Sequence, residues 1–170
     1  LWLIDNASGE KKRLVTEVPD MMDLYDWSPD SQWIAITVRP RGFGWKPQTV
    51  IVSVQNGRTF PVPAPASDGM DYATWAPSWS PDGHSISYSS IPLRTYNSSL
   101  QVLDLKTEKI TSLRDSLVQI GEVSWSPDSK QLAYFSIRSV TEEGVSQDSM
   151  ITLMDIQEDG YSHASFFGEN

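Results

Sequence analysis

Two apolar rhythms run along the chain and interleave. In the first, the tetrad Trp-Ser-Pro-Asp stands at 27–30, 79–82 and 125–128, so successive copies lie 52 and 46 residues apart. Each is followed, after a small residue and one or two polar ones, by an apolar run: Trp33-Ile34-Ala35-Ile36, Ile86-Ser87-Tyr88 and Leu132-Ala133-Tyr134-Phe135. In the second rhythm, Leu1-Trp2-Leu3-Ile4-Asp5, Val50-Ile51-Val52-Ser53, Leu100-Gln101-Val102-Leu103-Asp104 and Ile151-Thr152-Leu153-Met154-Asp155 share one spacing and fall between the tetrads. No segment of about 12 residues has helical periodicity, which predicts an all-β chain.

The tetrad has a local logic. Pro29, Pro81 and Pro127 preset φ for a type I turn, and Asp30, Asp82 and Asp128 can cap the turn backbone with the preceding Ser. Gly83 suits the last turn position, where Ser31 and Ser129 stand in the other copies and are expected to be tolerated. Trp27, Trp79 and Trp125 each close the strand before the turn and offer a large plate for packing between repeats. The second series ends in hairpin signals at Ser8-Gly9, Asn56-Gly57 and Asp159-Gly160; Lys106-Thr107-Glu108-Lys109 departs from them. A short fourth run follows each turn, and Pro61 and Pro63 restrict it to an edge. Four strands per unit, repeated at this period, predict a β-propeller of four-stranded antiparallel blades. The expected layout is one partial propeller domain over 1–170, with a half-blade at 1–15 and blades near 23–62, 75–113 and 121–167. That is about three and a half blades, where closed rings have four to eight. The expectation is therefore a fragment of a longer propeller, favoured by the mid-blade, non-Met start, or a homodimer of mutually completing copies.

The three Trp-Ser-Pro-Asp turns, each with its apolar strand and an "Ile-Tyr-Val-Met-Asp"-like strand, resemble the TolB-like β-propeller repeat. The resemblance covers nearly the whole chain. It implies the fold and a place outside the cytoplasm of a bacterium, periplasmic or at the cell surface. Propellers of this kind occur in TolB, in sensor and lipoprotein ectodomains, and as gating domains of prolyl-oligopeptidase-like peptidases, so the repeat does not fix function. Ser for Gly in two tetrads and the long proline-rich linker at 61–76 depart from the pattern and bear on the subfamily.

Composition narrows the chemistry. Among 170 residues, 22 acidic against 13 basic side chains give a net charge of −9, which argues against nucleic acid and anionic membrane as partners. There is no Cys, hence no disulfide or thiolate site, and no apolar run long enough to span a membrane. His84 and His163 are the only histidines. No Gly-x-Ser-x-Gly elbow, His-Glu-x-x-His, phosphate loop or dinucleotide motif occurs, and Gly42-Phe43-Gly44 lacks the strand-to-helix setting of one. The expectation is thus no catalytic residue, no metal and no cofactor. Asp20, Asp23 and Asp26, with Asp68 and Asp71, read as solvated loop carboxylates, Glu142-Glu143 as a charged tip. Asn6 and Asn97 match a glycosylation sequon in a Ser-rich chain.

What remains is surface. In an antiparallel blade, the strand two-to-three loops and the blade-to-blade links share one face: 39–48, 91–98, 138–148, 17–24, 63–74 and 115–121. Loops on a rigid scaffold commonly carry binding residues. Arg39, Arg41, Phe43, Trp45 and Lys46 put three cations and two aromatics into one such loop, and Tyr72, Arg94 and Tyr96 can extend the patch. The alternative is that Phe43 and Trp45 fold back over their own blade. The leading expectation is a non-catalytic module that binds a protein or peptide through this face. The alternatives are the accessory propeller of a serine peptidase whose catalytic domain lies outside the chain, and a saccharide- or small-ligand-binding propeller.

Overall fold

The computed structural model describes residues 1–14, 21–39, 46–65, 71–93, 98–117, 119–140, 146–157 and 160–167. Strands β1 (Trp2–Ile4) and β2 (Lys11–Arg13) pair as a half-blade. Blade 1 is β3 (Met21–Trp27), β4 (Trp33–Val38), β5 (Gln48–Ser53) and β6 (Thr59–Pro61). Blade 2 is β7 (Tyr72–Trp79), β8 (Ser85–Pro92), β9 (Ser98–Asp104) and β10 (Ile110–Leu117). Blade 3 is β11 (Gln119–Trp125), β12 (Gln131–Val140), β13 (Ser146–Gln157) and β14 (Gly160–Phe167). Each blade is antiparallel with its strands in chain order, and Pro61 does sit in an outermost strand, paired with Val50.

Two connections expected as long loops are largely strand. β12 and β13 remain paired out to Val140 and Ser146, and residue 118 alone separates β10 from β11. Polar side chains there do not stop a hairpin, because the ladder is held by backbone groups that need partners wherever they lie. Each innermost strand also carries a register slip, between Met21 and Tyr25, Trp75 and Ser78, and Ile120 and Val123. Such bulges bend and twist the strand at the place nearest the ring axis.

The tetrads close as one motif. Ser28 Oγ donates to Asp30 Oδ1 at 2.6 Å, Asp30 Oδ1 also accepts Gln32 N, and Trp33 N donates back to Ser28 Oγ. Ser80–Asp82 and Ser126–Asp128 repeat the 2.6 Å bond. The residue after the Asp is left-handed in all three, with φ of +60° at Ser31, +75° at Gly83 and +61° at Ser129. Serine here is therefore more than a tolerated neutral choice: an L residue in this region costs about 1–2 kcal/mol. Three of the second hairpins, closed by Asp5–Glu10, Ser53–Arg58 and Asp104–Lys109, are four-residue loops, whereas β13 and β14 stay paired out to Gln157 and Gly160. Gly9, Gly57 and Glu108 all take the closing left-handed position, so the third copy keeps the geometry without the glycine.

The core lies between sheets, not within one. Leu14 packs with Ile34, Ile36, Val38 and Val52 between half-blade and blade 1. Ala35 and Val62 meet Trp79, Ile86, Tyr88 and Leu103 between blades 1 and 2. Leu100, Val102 and Leu113 meet Ile120, Leu132, Tyr134 and Met154 between blades 2 and 3. Alternation along each strand thus supplies both neighbours. Polar groups stitch the same junctions. Asp26 Oδ2 accepts Trp79 N at 2.8 Å and Ser78 Oγ at 3.3 Å, so this carboxylate is an inter-blade cap and not a solvated loop group. Trp125 Nε1 donates to Ser78 O and Ser87 Oγ, both at 3.1 Å, and Asp82 N donates to Ser129 Oγ.

Candidate functional site

Of the predicted patch, Arg41, Phe43, Trp45, Arg94 and Tyr96 lie outside the described residues. The residues that flank these segments are described, and they converge. Lys46 Nζ forms an ion pair with Asp71 at 2.8 Å, Leu93 N donates to Asp71 O, and Thr74 N donates to Pro47 O. Thr74 Oγ1 accepts Thr49 N, and Tyr72 pairs with Pro92 across β7 and β8. The segments at 40–45, 66–70 and 94–97 therefore leave the scaffold from one cross-braced root. The structure changes the role of Lys46: its ammonium is held by Asp71 at the base. Asp71, expected as a solvated loop carboxylate, does keep an exposed side chain and is also the other half of that brace. Arg39 is half-buried, and its Nε meets no acceptor among the described residues.

A groove of about 640 Å³ opens along the innermost strands. Leu24, Tyr25 and Asp26 of β3 and Pro77 and Ser78 of β7 form one wall. Glu122, Val123 and Ser124 of β11, with Ala133, Phe135 and Ile151 behind them, form the other. Tyr25 is exposed, and so are Glu122 and Phe135. Sequence reasoning did not single out Tyr25 and Glu122, which belong to no motif, and read Phe135 and Ile151 only as members of the apolar runs; the stacking of strands from three blades brings them to one groove.

A second cavity, about 170 Å³, sits at the hairpin end of blade 1 and is lined by Trp33, Phe60, Arg58, Gln32, Ser53, Gln55 and Asn56. Trp33 and Phe60 meet edge to face at 5.9 Å, and the Arg58 guanidinium lies 5.9 Å from the Phe60 ring. Asn56 Oδ1 is already committed to Arg58 N.

Titration is dominated by turns. The Ser28 and Ser126 hydroxyls, then the backbone donors Gln32 and Lys130, hold Asp30 and Asp128 below the usual carboxylate range. At Asp82 desolvation pushes upward, yet Ser80, His84 N and the charge of His84 together bring it down. Asp5 and Asp104 are lowered chiefly by the backbone N–H groups of Ser8 and Thr107. Burial alone raises the Tyr88 phenol far above its normal value, and its hydroxyl donates to Pro63 O at 2.6 Å. His84 is exposed at a turn; His163 pairs with Met154 in the β13–β14 ladder. Among the described residues no three His, Asp or Glu side chains cluster as metal ligands.

Blades of four antiparallel strands, stacked face to face around an axis, define a partial β-propeller. Its fold is that of the TolB-like propellers. TolB from Acinetobacter baumannii superposes over 98% of this chain and 37% of its own, with a TM-score of 0.64 at 21% identity. The β-propeller domain of the Trilobed protease from Pyrococcus furiosus matches 88% of this chain and 43% of its own, with a TM-score of 0.61 at 16% identity. In sequence, the chain is similar to dipeptidyl-peptidase 5 of Porphyromonas gingivalis, with 33% identity over 124 residues. That match takes in 67% of this chain and 17% of the peptidase. No protein-family model matches the chain. The chain thus spans less than half of each of these matched chains, and 17% of the peptidase.

Proposed function

We propose that this chain is a non-catalytic arc of a larger propeller that binds a protein or peptide through its long-loop face, outside the cytoplasm of a bacterium. The observation that carries the reading is the common root of three loops at Lys46, Asp71 and Leu93. An ion pair and two backbone hydrogen bonds hold their bases together. A fixed base lowers the entropy lost when loops close on a partner, which is how a rigid scaffold gains affinity from short segments. Arg41, Trp45, Arg94 and Tyr96 are the side chains assigned to contact, and arginine and aromatic anchors carry most interface energy. The extracytoplasmic placement rests on resemblance to TolB.

Photo-crosslinking from position 45 in bacterial periplasmic extract tests this. The expected result is a discrete adduct, with at least five-fold less partner recovered by an Arg41→Ala/Trp45→Ala variant of unchanged thermal midpoint. Equal recovery by both proteins would overturn the reading.

The similarity to dipeptidyl-peptidase 5 supports a second reading, in which the arc belongs to the propeller of a serine peptidase and the loop face meets peptide substrate. An active-site serine-hydrolase probe, applied to the protein purified from its source, separates the two. Labelling of a longer polypeptide containing these residues favours the peptidase; its absence favours the binding module.

A further inference from the structure

Blade 1 departs from its own repeat at three positions, and all three line the cavity of about 170 Å³ at its hairpin end. The strand registers fix the equivalences. Trp33 faces Ser53 across β4 and β5, where blade 2 pairs Ser85 with Asp104 and blade 3 pairs Gln131 with Asp155. Phe60, opposite Ile51, stands where blade 2 has Thr111 and blade 3 has Ala164. In the half-blade the place of Ser53 is taken by Asp5, whose N–H closes the same kind of turn. The repeat thus puts a carboxylate at this position in every other copy, whereas blade 1 has a neutral hydroxyl there and adds two aromatic rings. Blade 1 is packed on both faces, against Leu14 on one side and Trp79 on the other, so the cavity owes nothing to an open end of the arc.

We propose that this cavity is a binding site for a sugar ring that bears a carboxylate, a site independent of the loop face. Trp33 and Phe60 meet at 69° and form an apolar corner. The C–H face of a pyranose carries partial positive charge and lies well on the negative face of an aromatic ring. The Arg58 guanidinium, 5.9 Å from the Phe60 ring, forms no ion pair among the described residues. Its fork matches a carboxylate, and the loss of the repeat's aspartate at 53 removes the charge that would repel one. Ser53 is 6% exposed, and its hydroxyl has no hydrogen-bond partner among the described residues. Asn56 spends its Oδ1 on Arg58 N, which leaves its amide N–H groups to donate. With the Gln55 amide beside it, the rim both donates and accepts, as ring hydroxyls require. Sites for drug-sized ligands run to about 300–1,000 Å³, so this smaller cavity suits a single ring.

The test titrates the full chain with D-glucuronate, followed by ligand-observed NMR. D-glucose, which keeps the ring without the charge, and acetate, which keeps the charge without the ring, run beside it. Glucuronate is expected to bind at least roughly five-fold more tightly than either. Arg58→Gln and Ser53→Asp should each weaken it about ten-fold or more, and Phe60→Ala about three-fold. Arg58 is exposed, so Arg58→Gln should leave the thermal midpoint within about 2 °C of wild type. Ser53→Asp restores the residue that the repeat carries in its other copies. Absence of glucuronate binding would overturn the proposal, as would glucose or acetate bound equally tightly. So would an affinity that survives both Arg58→Gln and Ser53→Asp.

Discussion

Blades 2 and 3 are copies of one sequence pattern in different surroundings. In blade 2 both faces are covered: Ile86 and Tyr88 are inaccessible on one side, Leu100 on the other. In blade 3 the face toward blade 2 is equally closed, at Leu132, Tyr134 and Met154, while Phe135 and Ile151 on the other face are open. The strand order and the Ser-Pro-Asp turn with its serine–aspartate bond are the same. A blade's stability is therefore shared with its neighbours, as in other repeat architectures where each unit contacts only the next.

The difference can be broken at its largest point. Tyr88→Ala should cost about 3–5 kcal/mol, because a fully buried ring leaves a cavity that close packing cannot refill. Phe135→Ala in blade 3 should cost less than about 1 kcal/mol. Urea unfolding of the two variants checks the contrast, and equal losses would mean that the outer face of blade 3 is as well covered in solution as the face of blade 2 that holds Tyr88.

A smaller contrast of the same kind separates Gly57 from Gly9. Both have φ of +71°, but a Cβ at Gly57 would strike the Leu14 carbonyl, whereas one at Gly9 meets nothing within 4 Å. Gly9→Ala should cost about 1–2 kcal/mol for backbone conformation alone. Gly57→Ala should cost clearly more, because the half-blade must shift off blade 1. Matching thermal denaturation midpoints for the two would contradict this packing.

Acid should loosen the turns in every blade alike. Asp30, Asp82, Asp128, Asp5 and Asp104 all have folded pKa values below the ordinary 3.8. A carboxylate lowered on folding binds protons more readily when unfolded. Its contribution is thus present above about pH 4 and lost as pH falls through the lowered value. Stability measured by denaturant should be flat in this contribution from pH 5 to 7 and decline below about pH 4. Asp30→Asn/Asp128→Asn should flatten the decline.

The finest comparison lies within the tetrads. Ser31→Gly should stabilise by about 0.5–1 kcal/mol, by relieving a left-handed serine. Ser129→Gly should gain less, since the Ser129 hydroxyl accepts Asp82 N across the junction and that bond is worth about 1 kcal/mol. Equal gains would mean the bond contributes nothing.

Much of the fold was legible because its cause is local. The Ser-Pro-Asp turns close within five residues, alternation marks the strands, and Pro61 marks an edge. The candidate site was legible only as a coincidence of loops. That Lys46 is engaged by Asp71, that Asp26 caps the next blade, and that Tyr25 and Glu122 share a groove all depend on residues brought together from different strands and blades.

The sequence by itself determined the strand–turn grammar, the blade period and the existence of tryptophans at blade ends. It could not assign those tryptophans their fates. Trp79 is buried, Trp125 is hydrogen-bonded and Trp27 is exposed, although all three precede the same Ser-Pro-Asp. Burial belongs to the contact between a residue and one about 50 positions away, and only the stacking of whole blades decides whether that contact exists.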